Sequence, residues 1–273
     1  MLAAAITTRQ QRTRGEAYVS FIARGGRAAL HGLRQQGSAK AIILPGPEVV
    51  FLNTAGGLTG GDRLRYALDL GAGLRAVATT QTAERIYRAS EGVARIDLQL
   101  GVGAGGHLDW LPQETILFDA SAAERRSTIT LDEGASCLAL EAVVLGRAAM
   151  GETLRQLHFR DTRQIRRGAH PVFLEPLFLD SARLGAGAAV LGGARAIASL
   201  VMVGQGAEAA LAPARAALTE PGVESGASAF DGKLVIRLLA ADGWPLRRQI
   251  ARLLRVLRRA PLPRVWQMQE NVA

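Results

Sequence analysis

The chain has 273 residues, 48% hydrophobic and 21% charged. That composition excludes a disordered polymer and supplies a sizeable core for one large or two medium domains. Its 33 cations against 24 anions leave a net charge of +9, and a pI near 10.9 implies attraction to acidic partners, whether protein or nucleic acid. Lys40 and Lys233 are the only lysines, so arginine carries nearly all the positive charge. The single cysteine, Cys137, excludes an internal disulfide and a multi-cysteine zinc or iron–sulfur centre, and it points to a reducing, cytoplasmic setting. The first apolar run, Met1 to Ile6, is too short for a secretory leader. The longest hydrophobic stretch, Leu138 to Met150, is broken by Glu141 and Arg147, so no segment reaches the ~20 residues of a membrane helix.

In chain order, Tyr18–Ile22, Ala41–Leu44 and Val49–Leu52 are short apolar or alternating runs bounded by Gly, Pro or polar clusters, the signature of strands. Glycine, 31 residues in all, falls between such runs, where positive φ is often required. Leu68–Leu74 recurs as Leu98–Ala104 and as Ile129–Ala135, at steps of 30 and 31 residues. Each copy is an alternating strand, a Gly turn and a second strand. Such a period points to a β-solenoid or to layered sheets; chance recurrence of a common β pattern is the alternative. Ala207 to Leu218 has a helical pattern interrupted by Pro213, which predicts a short or bent helix. Lys233–Leu239 reads as a buried strand. Trp244 to about Arg259 predicts a second helix, with Pro245 near its start, a stripe of Leu246, Ile250, Leu253, Leu254 and Leu257, and Pro261 and Pro263 closing it. The fold class is therefore mainly β with a few helices. A β-rich body over about 15–205 carries a mixed α+β part over about 206–266, within a single unit spanning 1–273.

Most catalytic signatures are missing. Gly101-Val102-Gly103-Ala104-Gly105-Gly106 matches G-x-G-x-x-G, but a strand-like segment and Pro112 follow it rather than a helix, so it reads as a turn. The loop Asn53–Asp62 is the densest in glycine. It lacks the Gly-Lys-Ser/Thr of a P-loop, leaving an anion nest or a compact β–β connection closed by Asn53 and Asp62. Gly226-Ala227-Ser228-Ala229-Phe230 fails as a nucleophile elbow. His31, His107, His158 and His170 show no metal-ligand spacing. Glu114, Glu141 and Glu175 stand in apolar surroundings and need partners, either Arg in internal ion pairs or a polar passage through the β body. Arg247, Arg248, Arg252, Arg255, Arg258 and Arg259 on the last helix read as an outward face that is solvated or meets an acidic partner.

Six ordered strings go further. Gln36–Lys40, Asn53–Asp62, Thr79–Ala83 with Ile86-Tyr87-Arg88, Trp110–Thr115 with Phe118-Asp119, Glu141 with Leu145-Gly146-Arg147 through Gly151-Glu152, and Leu262–Trp266 resemble the UreD (UreH) family of urease accessory proteins, from about Gly15 to Trp266. The resemblance implies an elongated, layered β structure with two helices. It implies a maturation factor that is not an enzyme, and that binds urease apoprotein with UreF and the GTPase UreG and assists nickel insertion. No tightly bound cofactor is implied; nickel would be cargo in transit through an internal tunnel, with Asp62, Glu141 and Glu175 as candidates to meet it. Weak oxygen ligands suit such transit better than a Cys/His cage. Two other classes stay open. A β-solenoid carbohydrate-active enzyme needs clustered acids and exposed aromatics, which 5% aromatic content disfavours. An Arg-rich nucleic-acid-binding protein would show salt-dependent binding to random duplex.

Overall fold

The computed structural model describes residues 12–187, 190–258 and 260–267. The chain opens with a hairpin, β1 (Arg14–Arg24) and β2 (Arg27–Gly37), followed by β3 (Ala39–Leu44), β4 (Glu48–Asn53), β5 (Arg63–Leu70), β6 (Arg75–Thr80) and β7 (Glu84–Ile86). Next come β8 (Ala94–Val102), β9 (His107–Trp110), β10 (Thr115–Leu117), β11 (Ser121–Leu131), β12 (Ser136–Leu145), β13 (Leu157–Arg167) and β14 (His170–Asp180). The last part holds α1 (Ser181–Leu184), β15 (Ala196–Val203), α2 (Leu211–Ala216), β16 (Val223–Phe230), β17 (Lys233–Ala240), α3 (Gly243–Leu257) and α4 (Arg264–Gln267).

The strands form two stacked sheets. One has the order β14-β13-β11-β8-β5-β1-β2; the other runs β16-β17-β15-β12-β9-β6-β4-β3, with β7 and β10 paired to each other and β10 to β12. The 30-residue repeat is real and solenoidal. β5 turns into β6, β8 into β9 and β11 into β12, and corresponding strands pair in parallel. The true register differs from the sequence repeat at both steps, because the middle copy is displaced by two residues: Leu68 and Ile129 both pair with Leu100 rather than with Leu98. The turns stack too: Gly73 N–H donates to Ala104 O and Gly105 N–H to Glu133 O. Gly73, Gly105 and Gly134 all take positive φ there, which only glycine adopts at little cost.

Alternation explains the layers. β8 alternates buried and exposed residues, so the first sheet keeps one face in solvent. β12 and β15 are apolar on both faces, because the second sheet is covered twice. Its inner side meets the first sheet around Phe51, Leu68, Leu100, Leu108, Leu131 and Phe159. Its outer side packs under the helices around Leu138, Leu200, Ile236, Leu246, Leu253 and Trp266.

The helices refine the sequence reading. α2 is short, as Pro213 requires. α3 starts where the Asp242 carboxylate accepts from Trp244 N (2.8 Å), and its predicted stripe is buried from Leu246 to Leu254. Two four-residue helices, α1 and α4, are additions; each is too short to show periodicity in the sequence. The arginine face of α3 is exposed at Arg248, Arg252 and Arg255, as expected, and needs correction at Arg247 and Arg258. Arg258 is buried with its Nε 2.7 Å from Asp109 Oδ2. Arg247 lies over the Trp266 ring and 3.2 Å from Glu114. Arg248 and Arg252 both pair with the buried Glu220. The reason is that α3 lies flat on the sheet, so its flanking arginines reach acids on neighbouring strands and loops. Arg259 lies outside the described residues.

The Asn53–Asp62 loop is pinned by close approach. Gly61 has φ +89°, but the tighter constraint is Gly60, whose added Cβ would run into the carbonyls of Glu91 and Gly92. Gly60→Ala should therefore cost about 1–3 kcal/mol, as overpacking does, and lower Tm by roughly 3–10 °C. A melting curve unchanged from that of the parent would show that the loop is free to shift.

Candidate functional site

Between the sheets, in an otherwise apolar layer, runs a ladder of charges. β11 presents Ala123, Arg125, Ser127, Ile129 and Leu131 inward, so the alternation of an apolar strand carries one arginine into the core. Arg125 pairs across the strand with Asp161 of β13. Its Nε and Nη2 donate to the two Asp161 oxygens at 3.0 and 2.7 Å. Its Nη1 donates to Thr115 Oγ1 (3.0 Å) and lies 2.7 Å from Glu141 Oε2 on the facing sheet. Trp110 Nε1 donates to the other Glu141 oxygen at 3.0 Å. The ladder continues outward: Arg163 lies 3.3 Å from Asp161 and 3.2 Å from Glu175, which pairs with Arg237 at 2.8 Å.

The two carboxylates flanking Arg125 are driven apart. Burial raises both, but the charge and hydrogen bonds of Arg125 hold Asp161 below the usual carboxylate range. At Glu141 burial outweighs Arg125, and the carboxyl is pushed above that range. Asp161 is thus the anion that fixes Arg125, while Glu141 is the softer partner.

Three small cavities adjoin along this layer. The first, about 40 Å³, is lined by Asn53, Tyr66, Thr80, Gln81, Thr82 and Glu84, among others. The second, about 40 Å³, shares Tyr66, Thr80 and Glu84 with it and reaches Gln113, Arg125 and Glu141. The third, about 20 Å³, shares Trp110, Ser127 and Glu141 with the second and ends at Arg163, Gln164 and Ser199. At ~10–15 Å³ per water, each has room for roughly one to four molecules. Gln113 Nε2, Ser127 Oγ and Ser199 Oγ line these spaces and find no hydrogen-bond partner within the protein. Buried polar atoms of that kind are satisfied by water. Glu84 accepts from Asn53 Nδ2 (3.1 Å). Burial pushes its carboxyl up to about 7, against the opposing effects of Asn53 and Arg85.

The residues singled out in the sequence separate into groups. Glu141 lines the cavities. Glu175 joins the ladder through Arg163 but lines none of the three cavities, and Glu114 is half-exposed at Arg247. Asp62 is buried elsewhere. Its oxygens accept from Thr13 N (2.7 Å) and Thr59 N (2.8 Å), which closes the glycine loop on β1. Asn53 likewise binds Ala55 N in its own loop. The G-x-G-x-x-G segment is the β8–β9 turn. Arg125, Asp161, Arg163 and Glu84 were not singled out. For the first three the available signal was a charge at the inward parity of an alternating strand. Also unread was a hydrogen-bonded row of Ser136, His107 and Asp109 (2.8 and 3.0 Å), which lines none of the cavities. Burial pushes Asp109 up, but the His107 hydrogen bond and the Arg258 charge hold it below the usual range.

Parts of four of the strings that carried the resemblance meet at one end of the solenoid. Leu58 pairs with Ile86 as an isolated bridge, β7 with β10 and β10 with β12, so Leu58, Ile86, Leu117 and Leu145 stack. On the surface there, Tyr87 meets Phe118 edge-on and Arg147 lies 4.4 Å over the Phe118 ring. Glu152 accepts from Arg147 and from Asp119 N, and Asp119 accepts from Arg155 N and Gln156 N. The first cavity lies at this end, with Gly56, Glu84 and Arg85 in its wall.

Fold and site together define a β-solenoid with small cavities and a buried charge ladder between its two sheets. The family model of the UreD urease accessory protein matches residues 13–267. The chain is 63% identical over 263 residues to a urease accessory protein UreD of Cereibacter sphaeroides (strain ATCC 17025), covering 94% of this chain and 96% of that one. It is 53% identical to that of Paracoccus denitrificans (95% and 94% covered) and 48% identical to that of Rhizobium leguminosarum bv. trifolii (98% and 100% covered). The chain belongs to the UreD family of urease accessory proteins.

Two predictions test the site. Asp161→Asn leaves Arg125 short of its main counter-charge and should cost about 3–5 kcal/mol in urea unfolding, whereas Glu141→Gln should cost less, about 1–2 kcal/mol. Equal costs would contradict the assigned roles, and the opposite order would reverse them. For Glu84 the folded state holds its proton more tightly than the unfolded chain, whose value is near 4.5. Between those two values the folded state binds more protons, so stability falls as pH rises and levels off above about 7. The part due to Glu84 is about 1–3 kcal/mol and should vanish in Glu84→Gln. Parallel stability–pH curves for the two proteins would contradict it.

Proposed function

We propose that this chain is a urease maturation scaffold, acting in the cytoplasm, that binds urease apoprotein together with UreF and the GTPase UreG and assists nickel insertion without catalysing a reaction itself. Family membership supports the role in urease maturation. The observation that carries the nickel reading is the string of adjoining cavities, polar at Asn53, Gln81 and Glu84 and then largely apolar with Gln113, Glu141 and Arg163 set into their walls. A cation moving through such a space exchanges water for carboxylate, amide and hydroxyl oxygens and is never held by a closed cage. The cavity walls supply such oxygens from Asn53, Thr80, Gln81, Thr82, Glu84 and Glu141. The nickel is cargo, and the chain keeps no resident cofactor.

Co-expression tests the proposal. Urease subunits, UreF and UreG should be recovered in one complex by pull-down on this chain, and the urease purified from such cells should contain nickel. With the chain omitted, nickel content and activity should fall to near background. Urease that loads fully without it, or a pull-down that recovers none of these proteins, would overturn the proposal.

A further inference from the structure

We propose that the solvent face of the first sheet, where β1, β5 and β8 begin, docks an acidic segment of a protein partner on Arg14, Arg63 and Arg95. The inference rests on the scaffold reading above only for the presence of a protein partner.

Strand register builds the site. Arg14 pairs with Arg63, and Arg63 with Arg95, across parallel neighbours. All three are exposed, at the outward parity of their strands. Neighbouring strands lie about 4.8 Å apart, so the three side chains rise from one row about 10 Å long. Like charges side by side on a sheet face repel one another. Among the described residues none of the three has an ion pair to relieve that repulsion. Arg65, one outward position along β5, donates to the neutral Gln99 amide (2.7 Å) and adds a further charge beside the row. Carboxylates from outside would relieve it, each accepting from a guanidinium in the two-pronged geometry that arginine favours.

The surroundings of the row select a protein. The row continues into Glu124, and the next row holds Glu16, Asp97 and Arg126. Arg95, Asp97, Glu124 and Arg126 surround a surface depression of about 310 Å³. A nucleic-acid backbone or an anionic bilayer presents one sign of charge and would be repelled at Asp97 and Glu124. A protein segment can set acids against the arginines and a base or hydroxyl against those two carboxylates. The face also offers bases no stacking platform, because the Tyr18 ring lies under Arg34 and the Phe178 ring under Arg160 and Arg183.

The test is binding of fluorescein-labelled poly-L-glutamate to the purified full chain at about 0.15 M salt, read by anisotropy. The combined variant Arg14→Gln, Arg63→Gln and Arg95→Gln should weaken binding at least tenfold. The combined variant Arg24→Gln, Arg27→Gln and Arg75→Gln removes the same charge from exposed positions elsewhere and should weaken it less than twofold. Melting curves check that both variants fold. The inference is overturned if the two variants lose binding equally, or if the parent does not bind. It is overturned too if random duplex DNA or phosphatidylglycerol vesicles bind the parent more tightly than poly-L-glutamate and the row variant loses that binding. Such a failure is distinguishable from failure of the scaffold role, which is read separately from complex recovery on the parent chain.

Discussion

A charge enclosed between two apolar sheets survives only where its neighbours return the charge, and Arg125 is in that position. Its five donors form a rigid fork, and nearly all of them are used. Asp161 takes two in parallel, Thr115 takes one, and Glu141 closes the fork from the opposite sheet. This clasp is the main polar tie between sheets that elsewhere meet through Leu, Phe and Val. Apolar packing is indifferent to small slides of one layer over another, whereas a bidentate arginine is not. The clasp also keeps polar walls between the sheets, because side chains that serve Arg125 leave Ser127, Ser199 and Gln113 beside them with unmet hydrogen bonds.

The solenoid makes the clasp possible. Parallel coils put residues of successive strands into straight rows, so Arg125 and Asp161 stand side by side in one row, and Ser127, Arg163 and Glu175 in the next. On the other sheet Glu141, Ser199 and Arg237 share a row. Stacked glycine turns hold these rows in register from coil to coil. The helical layer then seals the far side of the second sheet, and Arg247, Arg252 and Arg258 tie α3 to Glu114, Glu220 and Asp109. Such pairs cancel arginine against acid one for one, so the net +9 rests on the remaining arginines.

Much of this architecture was legible in the sequence. Alternation located the strands, glycine spacing located the coils, and the stripe from Leu246 to Leu254 located α3. The repeat register was misplaced because an apolar-x-apolar pattern fits equally well after a two-residue slip, which preserves the face of every side chain. Arg247 and Arg258 were misjudged because periodicity reveals which way a side chain leaves the helix, not what lies within its reach. In the site, apolar context drew notice to Glu141 and Glu175 and an ion pair with Arg was the right expectation for both, but Asp62 proved to be the lock of its own turn. Arg125 and Asp161 were hidden in charged strings, Glu124-Arg125-Arg126 and Arg160-Asp161-Thr162, whose solvent-facing members mask the inward one. Glu84 could not be recognised, because its setting depends on Asn53, which is distant in sequence and close in space.

Membership in the UreD family gives these features a purpose in urease maturation, and the central structural claim is that Arg125 and its partners maintain a hydrated line through an otherwise dry core. High-resolution crystallography of the isolated protein tests this most directly. Ordered waters should join Asn53 and Glu84 to Gln113, Ser127, Ser199 and Gln164 in an unbroken chain, with Arg125 forked on Asp161 beside it. A core found closed and dry between Glu84 and Glu141, with those polar atoms satisfied by repacked side chains, would contradict it.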